Sequence, residues 1–204
     1  MDQEKKNYNN IFGDIDLELL DLILKGFFSE HQKLLDIGCG EGRNLIYFLQ
    51  NDFDIYAIDI DRSSVDLVRY MVKSFGKDPT KIIQHDIRDP LSDMSPMDAV
   101  ICSRVLHFCE DENSFLKAWQ NISHLLGPGG LLYLSMDSII GFSDYVKKLS
   151  DRKIQFSDGS VRFPLTEDLL EEMNISDSYE KLTPVKTIHY EDKHAQTILC
   201  LRKK

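Results

Sequence analysis

Leu34-Leu35-Asp36-Ile37-Gly38-Cys39-Gly40-Glu41-Gly42 carries an apolar run into a turn with three alternate glycines. The run reads as a short strand. Glycine permits positive φ and lets a ligand lie against bare backbone where a following helix presents unpaired N–H groups. Spacing separates two classes of cofactor. A dinucleotide fingerprint is G-x-G-x-x-G, and the place of its last glycine is taken here by Arg43. A strand ending in an acid followed by G-x-G-x-G suits a ligand with an ammonium group and no phosphate, because Asp36 would sit badly beside a pyrophosphate and well beside a cation. The same glycines equally serve to turn the chain.

Upstream, Leu17, Leu20, Ile23, Leu24, Phe27 and Phe28 recur at helical spacing behind the cap residue Asp16, making 1–30 an N-terminal arm and helix. Downstream, 43–50 carries Leu45, Ile46, Phe48 and Leu49 with no breaker, and 55–58 is a strand ending at Asp59. Ser63 is expected to cap a helix through Phe75 that Gly76 ends, before a third strand at 81–84. A fourth strand at 98–102, a helix over 111–126 and the break Gly127-Pro128-Gly129-Gly130 precede a strand at 131–135. Such alternation predicts an α/β fold with a parallel sheet and helices on both faces. Thr166 then caps a helix over 167–173. The polar turn 191–194 joins 185–190 to 197–201, too short a link for anything but an antiparallel hairpin. Ile198-Leu199-Cys200-Leu201 is apolar on both faces, so that last strand should be central and reversed.

A chain of 204 residues, 42% hydrophobic, suffices for one core, and a single domain over 1–204 is expected. Its net charge of -10 opposes unspecific attraction to nucleic acid or anionic lipid. The opening run is polar and no stretch approaches the ~18 apolar residues of a membrane span, so a cytoplasmic protein is expected. Cys39, Cys102, Cys109 and Cys200 form no C-x-x-C pair and read as buried thiols. No metal site is expected, since His189 and His194 flank the hairpin without metal-ligand spacing or a nearby cysteine.

The segment from Asp36 to Gly42 resembles the first motif of the class I S-adenosylmethionine-dependent methyltransferases, and the resemblance extends over roughly Asn7 to the C-terminus. It implies a Rossmann-like, seven-stranded, mostly parallel sheet with a reversed last strand. It also implies S-adenosyl-L-methionine as cofactor and S-adenosyl-L-homocysteine as product. Asp36, Gly38, Cys39, Gly40 and Gly42 would form the cofactor turn, with Cys39 a small filler. Asp59 would accept from both ribose hydroxyls with Ile60 beside it, and its loss should weaken binding at little cost to stability. Asp86 would meet the adenine amino group and Ile87 offer its backbone N–H. Ser103 would approach the methionine portion through its backbone.

After the fourth strand, Ser103-Arg104-Val105-Leu106-His107-Phe108 should line the floor between cofactor and acceptor. Leu106 and Phe108 read as core. His107 has the pKa range of a general base or a polar orienting group, and reads equally as structural. A sulfonium is already an activated methyl donor, so alignment and exclusion of water suffice, and a missing acid/base pair does not count against activity. Acceptor contacts fall on Tyr8, in the 8–13 arm, on Arg104, and on Phe142, Tyr145 and Arg162 in the candidate cap 139–164. That cap also holds Arg152, Phe156 and Phe163, and reads equally as an apolar pocket with an anion-binding group or as cover over the sheet. Arg162-Phe163-Pro164-Leu165-Thr166, with the 105–108 segment, is similar to the small-molecule branch that includes tellurite-resistance and thiopurine-type methyltransferases. Methyl transfer to a small molecule is therefore expected, the alternative being a non-catalytic protein that binds S-adenosylmethionine or S-adenosylhomocysteine, or a partner subunit.

Overall fold

The computed structural model describes residues 11–141, 147–149, 152–156, 159–191 and 194–204. The chain packs as two compact units, Met1–Asp86 with Met97–Ile101, and Ile87–Pro96 with Cys102–Lys204.

In the first unit, α1 (Leu17–Leu24) starts where Asp16 accepts from the Glu18 N–H at 3.0 Å, and it buries Leu19, Leu22 and Ile23. β1 (Lys33–Ile37), α2 (Ile46–Gln50), β2 (Asp54–Asp59), α3 (Arg62–Ser74) and β3 (Ile82–Gln84) follow. β1 pairs in parallel with β2, and β2 with β3. Val65, Val68 and Val72 form the buried face of α3, which packs on β2 and β3. The N-cap of α3 is Asp61 and not Ser63. Its carboxylate accepts from the Ser63 and Ser64 hydroxyls and from the Ser64 N–H at 2.9 Å, and these bonds hold its pKa at about 2. A carboxylate is the stronger acceptor and takes the capping place.

β4 (Met97–Ser103) passes from the first unit into the second. There follow α4 (Glu112–Leu125), β5 (Leu126–Ser138), three two-residue strands β6 (Lys147–Lys148), β7 (Ile154–Gln155) and β8 (Val161–Arg162), α5 (Glu167–Glu172), α6 (Ile175–Ser178), β9 (Tyr179–Lys181), β10 (Lys186–Tyr190) and β11 (His194–Lys203). A capping box between Asp111 and Ser114 starts α4, which buries Phe115, Ala118, Trp119, Ile122 and Leu125. The helix stops because Leu126 is already extended, at φ -82 and ψ 125. The glycines expected to separate helix from strand instead lie within the first residues of β5. Pro128 and Gly129, at φ 74, suit the centre of a type II turn, and a Cβ on Gly130 would come 2.8 Å from the Gly127 carbonyl.

β11 runs antiparallel to both β5 and β10, and buries Ile198, Leu199, Cys200 and Leu201 as a central strand must. The strand order is β10-β11-β5-β4-β1-β2-β3, with β9 paired to the end of β11. This is the expected Rossmann-like sheet with a reversed last strand, but β9 makes it eight-stranded. β6, β7 and β8 form a separate small antiparallel sheet inside the 139–164 segment. The four cysteines are all buried thiols. Among the described residues no helix is long and apolar enough to cross a membrane.

Candidate functional site

In the first unit, candidate residues gather at the end of β1. Gly38, Gly40 and Gly42 have φ of 65, 52 and 78, a region strained for other residues. The Gly38 and Cys39 N–H groups donate to the Ile58 carbonyl at 2.8 and 3.1 Å, which ties the turn to β2. At Gly42 a Cβ would meet Met71 Cε at 3.0 Å and Val68 Cγ2 at 3.2 Å, so this glycine serves close packing. At Gly40 a Cβ would meet nothing within 4 Å, leaving bare backbone facing open space. Asp59 stands at the end of β2, its Oδ2 accepting the Gly40 N–H at 2.8 Å and its Oδ1 the Asp61 N–H at 2.9 Å. Ile60 beside it is 61% exposed.

Asp36 is buried, and its Oδ2 has no hydrogen-bond partner. Burial pushes its pKa up to about 8, with the Arg43 cation opposing the shift and the Asp59 charge adding to it. A protonated acid with an unmet oxygen would gain from a nearby cation. Burial, reinforced by Asp36 and Asp59, also pushes the Cys39 thiol up, so no thiolate forms there at neutral pH. Asp86 is half-buried after β3. Ile87 is buried, and its carbonyl accepts from the Asn121 side chain at 2.7 Å.

In the second unit, candidate residues follow β4. The Ser103 and Ser135 hydroxyls are 3.2 Å apart, and the Arg104 N–H donates to the Ser135 carbonyl at 2.7 Å. Arg104 holds a left-handed φ of 62. His107 lies in a 3₁₀ turn and is buried, its Nδ1 accepting the Asp137 N–H at 3.3 Å and standing 3.4 Å from Asp137 Oδ2. Burial, with the Arg162 and Arg104 cations, pushes its pKa down to about 3. The ring is therefore neutral, carries its proton on Nε2, and is better suited to orienting a ligand than to accepting a proton. Leu106 is core as expected. Phe108 is not: it is 63% exposed, with the Arg162 guanidinium 4.8 Å from its ring centroid.

Arg162 Nε also lies 3.7 Å from Asp137 Oδ2, so Asp137 joins a cluster with His107 and Arg162. Asp137 was not legible as a site residue because the strand was expected to end at Ser135. Its signal is the single charged residue in the run 131–138, where the other polar residues are Ser135 and Ser138. Within the cap segment the residues divide. Arg152 pairs with Glu112 at 2.7 Å and Glu172 at 2.9 Å, while Phe156 and Phe163 are buried, so these three act as cover. Tyr8, Phe142 and Tyr145 lie outside the described residues.

Two opposed titrations give the stability of this chain a pH signature. Asp36 in the fold keeps its proton up to about 8, whereas an unfolded Asp loses it near about 3.9. Over that interval the unfolded chain binds fewer protons, so this group makes stability fall as pH rises. His107 does the reverse between about 3 and its unfolded value near about 6.5, where the unfolded chain binds more protons and stability rises with pH. The two oppose each other from about pH 4 to 6.5. Above that only Asp36 acts, with a slope of up to about 1.4 kcal/mol per pH unit until about pH 8. Urea unfolding without ligand should show a decline from pH 6.5 to 8 that Asp36→Asn abolishes. Its persistence in that variant would assign the decline elsewhere.

A family model described as a methyltransferase domain matches residues 35–134. YqeM of Bacillus subtilis, a methyltransferase by name, is 26% identical over 116 residues, covering 56% of this chain and 46% of that protein. The chain spans about half the length of the relatives it matches. In fold it is similar to TehB from Haemophilus influenzae, with a TM-score of 0.69 and 20% identity over 98% of this chain and 65% of that one. It is also similar to the 1,6-didemethyltoxoflavin-N1-methyltransferase of Burkholderia thailandensis, solved with S-adenosylhomocysteine bound, with a TM-score of 0.68 and 14% identity over 99% and 83% of the two chains.

Proposed function

Since this chain belongs to the class I S-adenosylmethionine-dependent methyltransferases and its cofactor is S-adenosylmethionine, we propose that it transfers a methyl group to a small-molecule acceptor. The carrying observation is the Gly40 backbone, open to ligand and locked by the carboxylate of Asp59. The residues present fit the cofactor's chemistry. Asp59 spends one lone pair of each oxygen on backbone N–H groups and keeps others for two vicinal hydroxyls. Asp36 offers an unmet buried oxygen toward an ammonium group, Ile60 an exposed apolar surface, and Asp86 with Ile87 a polar edge for a purine. Ser103 supplies backbone at the end of β4.

When bound, the cofactor supplies a methyl group already activated by a sulfonium. The chain's own task is then to orient the acceptor and exclude water. His107 serves as a fixed polar group held by Asp137, and its depressed basicity argues against proton abstraction. The test is calorimetry followed by a screen with methyl-labelled cofactor across oxygen, nitrogen and sulfur acceptors. S-adenosylhomocysteine should bind at least about tenfold more tightly than NAD. Comparable binding of NAD would overturn the cofactor assignment. Intact S-adenosylhomocysteine binding without transfer to any acceptor would favour a non-catalytic binding protein.

A further inference from the structure

Arg162 and Arg152 stand in the same segment, and their surroundings separate their roles. Arg152 is held by two carboxylates at 2.7 and 2.9 Å. Among the described residues, the acceptors around the Arg162 guanidinium are the Val161 carbonyl at 3.4 Å and Asp137 Oδ2 at 3.7 Å. Charge-assisted bonds of this kind are about 2.7–2.9 Å long, so both contacts are loose, although the side chain is only 29% exposed. Against the described residues, such a cation has unused donors. It is also held in place. β8 pairs Arg162 with Ile154 of β7, and the next N–H, that of Phe163, donates to the His107 carbonyl at 2.9 Å.

The surroundings select the ligand's charge and shape. Arg104 and Arg162 both act on His107 as cations, and Asp137 is the carboxylate that faces Arg162. With His107 neutral, two positive charges and one negative leave room for a monoanion, while the carboxylate of Asp137 disfavours a dianion. The ring of Phe108 is exposed beside the guanidinium and edge-on to His107, at 4.4 Å and 66°. An exposed aromatic face beside a cation suits a flat conjugated ligand.

We propose, resting on the methyl-transfer reading above, that the acceptor is a flat aromatic carboxylic acid whose carboxylate pairs with Arg162, assisted by Arg104, while its ring lies against Phe108. Arg162 and Phe108 are then the residues that determine specificity.

The test titrates benzoate, benzamide, cyclohexanecarboxylate and inorganic phosphate into the full chain, with and without saturating S-adenosylhomocysteine. Benzoate should bind at least about tenfold more tightly than benzamide or phosphate. Arg162→Gln should weaken benzoate at least about tenfold and leave S-adenosylhomocysteine affinity unchanged, with Arg162→Lys intermediate. Phe108→Leu should narrow the preference for benzoate over cyclohexanecarboxylate. Thermal melts identify any variant that fails to fold, and either Arg162 variant that folds decides the point. The proposal is overturned if benzoate does not bind, if benzamide or phosphate binds equally, or if folded Arg162 variants keep wild-type benzoate affinity. Loss of S-adenosylhomocysteine binding in the wild-type chain would instead defeat the cofactor reading, while benzoate binding to the chain alone would still report on Arg162.

Discussion

Replacing Asp59 by alanine should weaken S-adenosylhomocysteine binding by at least about tenfold, since each charge-assisted bond to a ribose hydroxyl is worth roughly 1.5–3 kcal/mol. The sequence alone suggests little cost to folding, and the structure revises this. The same carboxylate accepts the Gly40 N–H at 2.8 Å and the Asp61 N–H at 2.9 Å, one inside the glycine turn and one at the N-cap of α3. Both donors lose their partner in Asp59→Ala, so unfolding free energy should drop by about 1–2 kcal/mol as well. Asp59→Asn retains acceptor oxygen but introduces an amide donor, and should fall between the two in affinity. Calorimetry and urea unfolding separate the effects. A folded Asp59→Ala protein with the wild-type dissociation constant would reduce Asp59 to an organiser of the turn.

Phe163→Ala should cost about 3–5 kcal/mol of stability, the usual range for removing a fully buried aromatic side chain. Phe163 is 0% exposed and stacks on Phe115 of α4 with centroids 5.5 Å apart. Its segment is also joined by backbone to the end of β5. The Leu165 N–H donates to the Asp137 carbonyl at 2.8 Å, and the Ile139 N–H to the Leu165 carbonyl at 3.0 Å. This residue therefore anchors the stretch that presents Arg162. Urea unfolding of Phe163→Ala measures the cost directly, and a loss below about 1 kcal/mol would mean that the segment is not packed as a core element.

The parts of the fold that could be read in advance are those whose cause is local. The alternate glycines after Asp36, the apolar spacing of Leu17, Leu20, Ile23 and Leu24, and the two-sided apolarity of 198–201 each state a conformation within a few residues. β9 could not be read that way. Tyr179-Glu180-Lys181 has no strand pattern of its own and becomes a strand by pairing with 201–203. The cap of α3 was misplaced by two residues because Asp61 and Ser63 are both acceptors by type, and only geometry ranks them. In the candidate site, Asp36 and Asp59 stand where a strand meets a turn. The joining of His107, Asp137 and Arg162 depends on pairing between segments far apart in the chain, which no local spacing encodes.

Arg104 turns left-handed immediately after β4, a conformation that costs a side-chain-bearing residue about 1–2 kcal/mol and costs glycine almost nothing. Variation filtered by thermal endurance alone would therefore drift toward glycine at this position, whereas, on the proposal that Arg104 assists the acceptor, variation filtered by turnover would hold the guanidinium in place. On that proposal, stability and catalytic performance pull against each other at one residue. A consensus-driven thermostabilisation of this chain would best leave position 104 untouched.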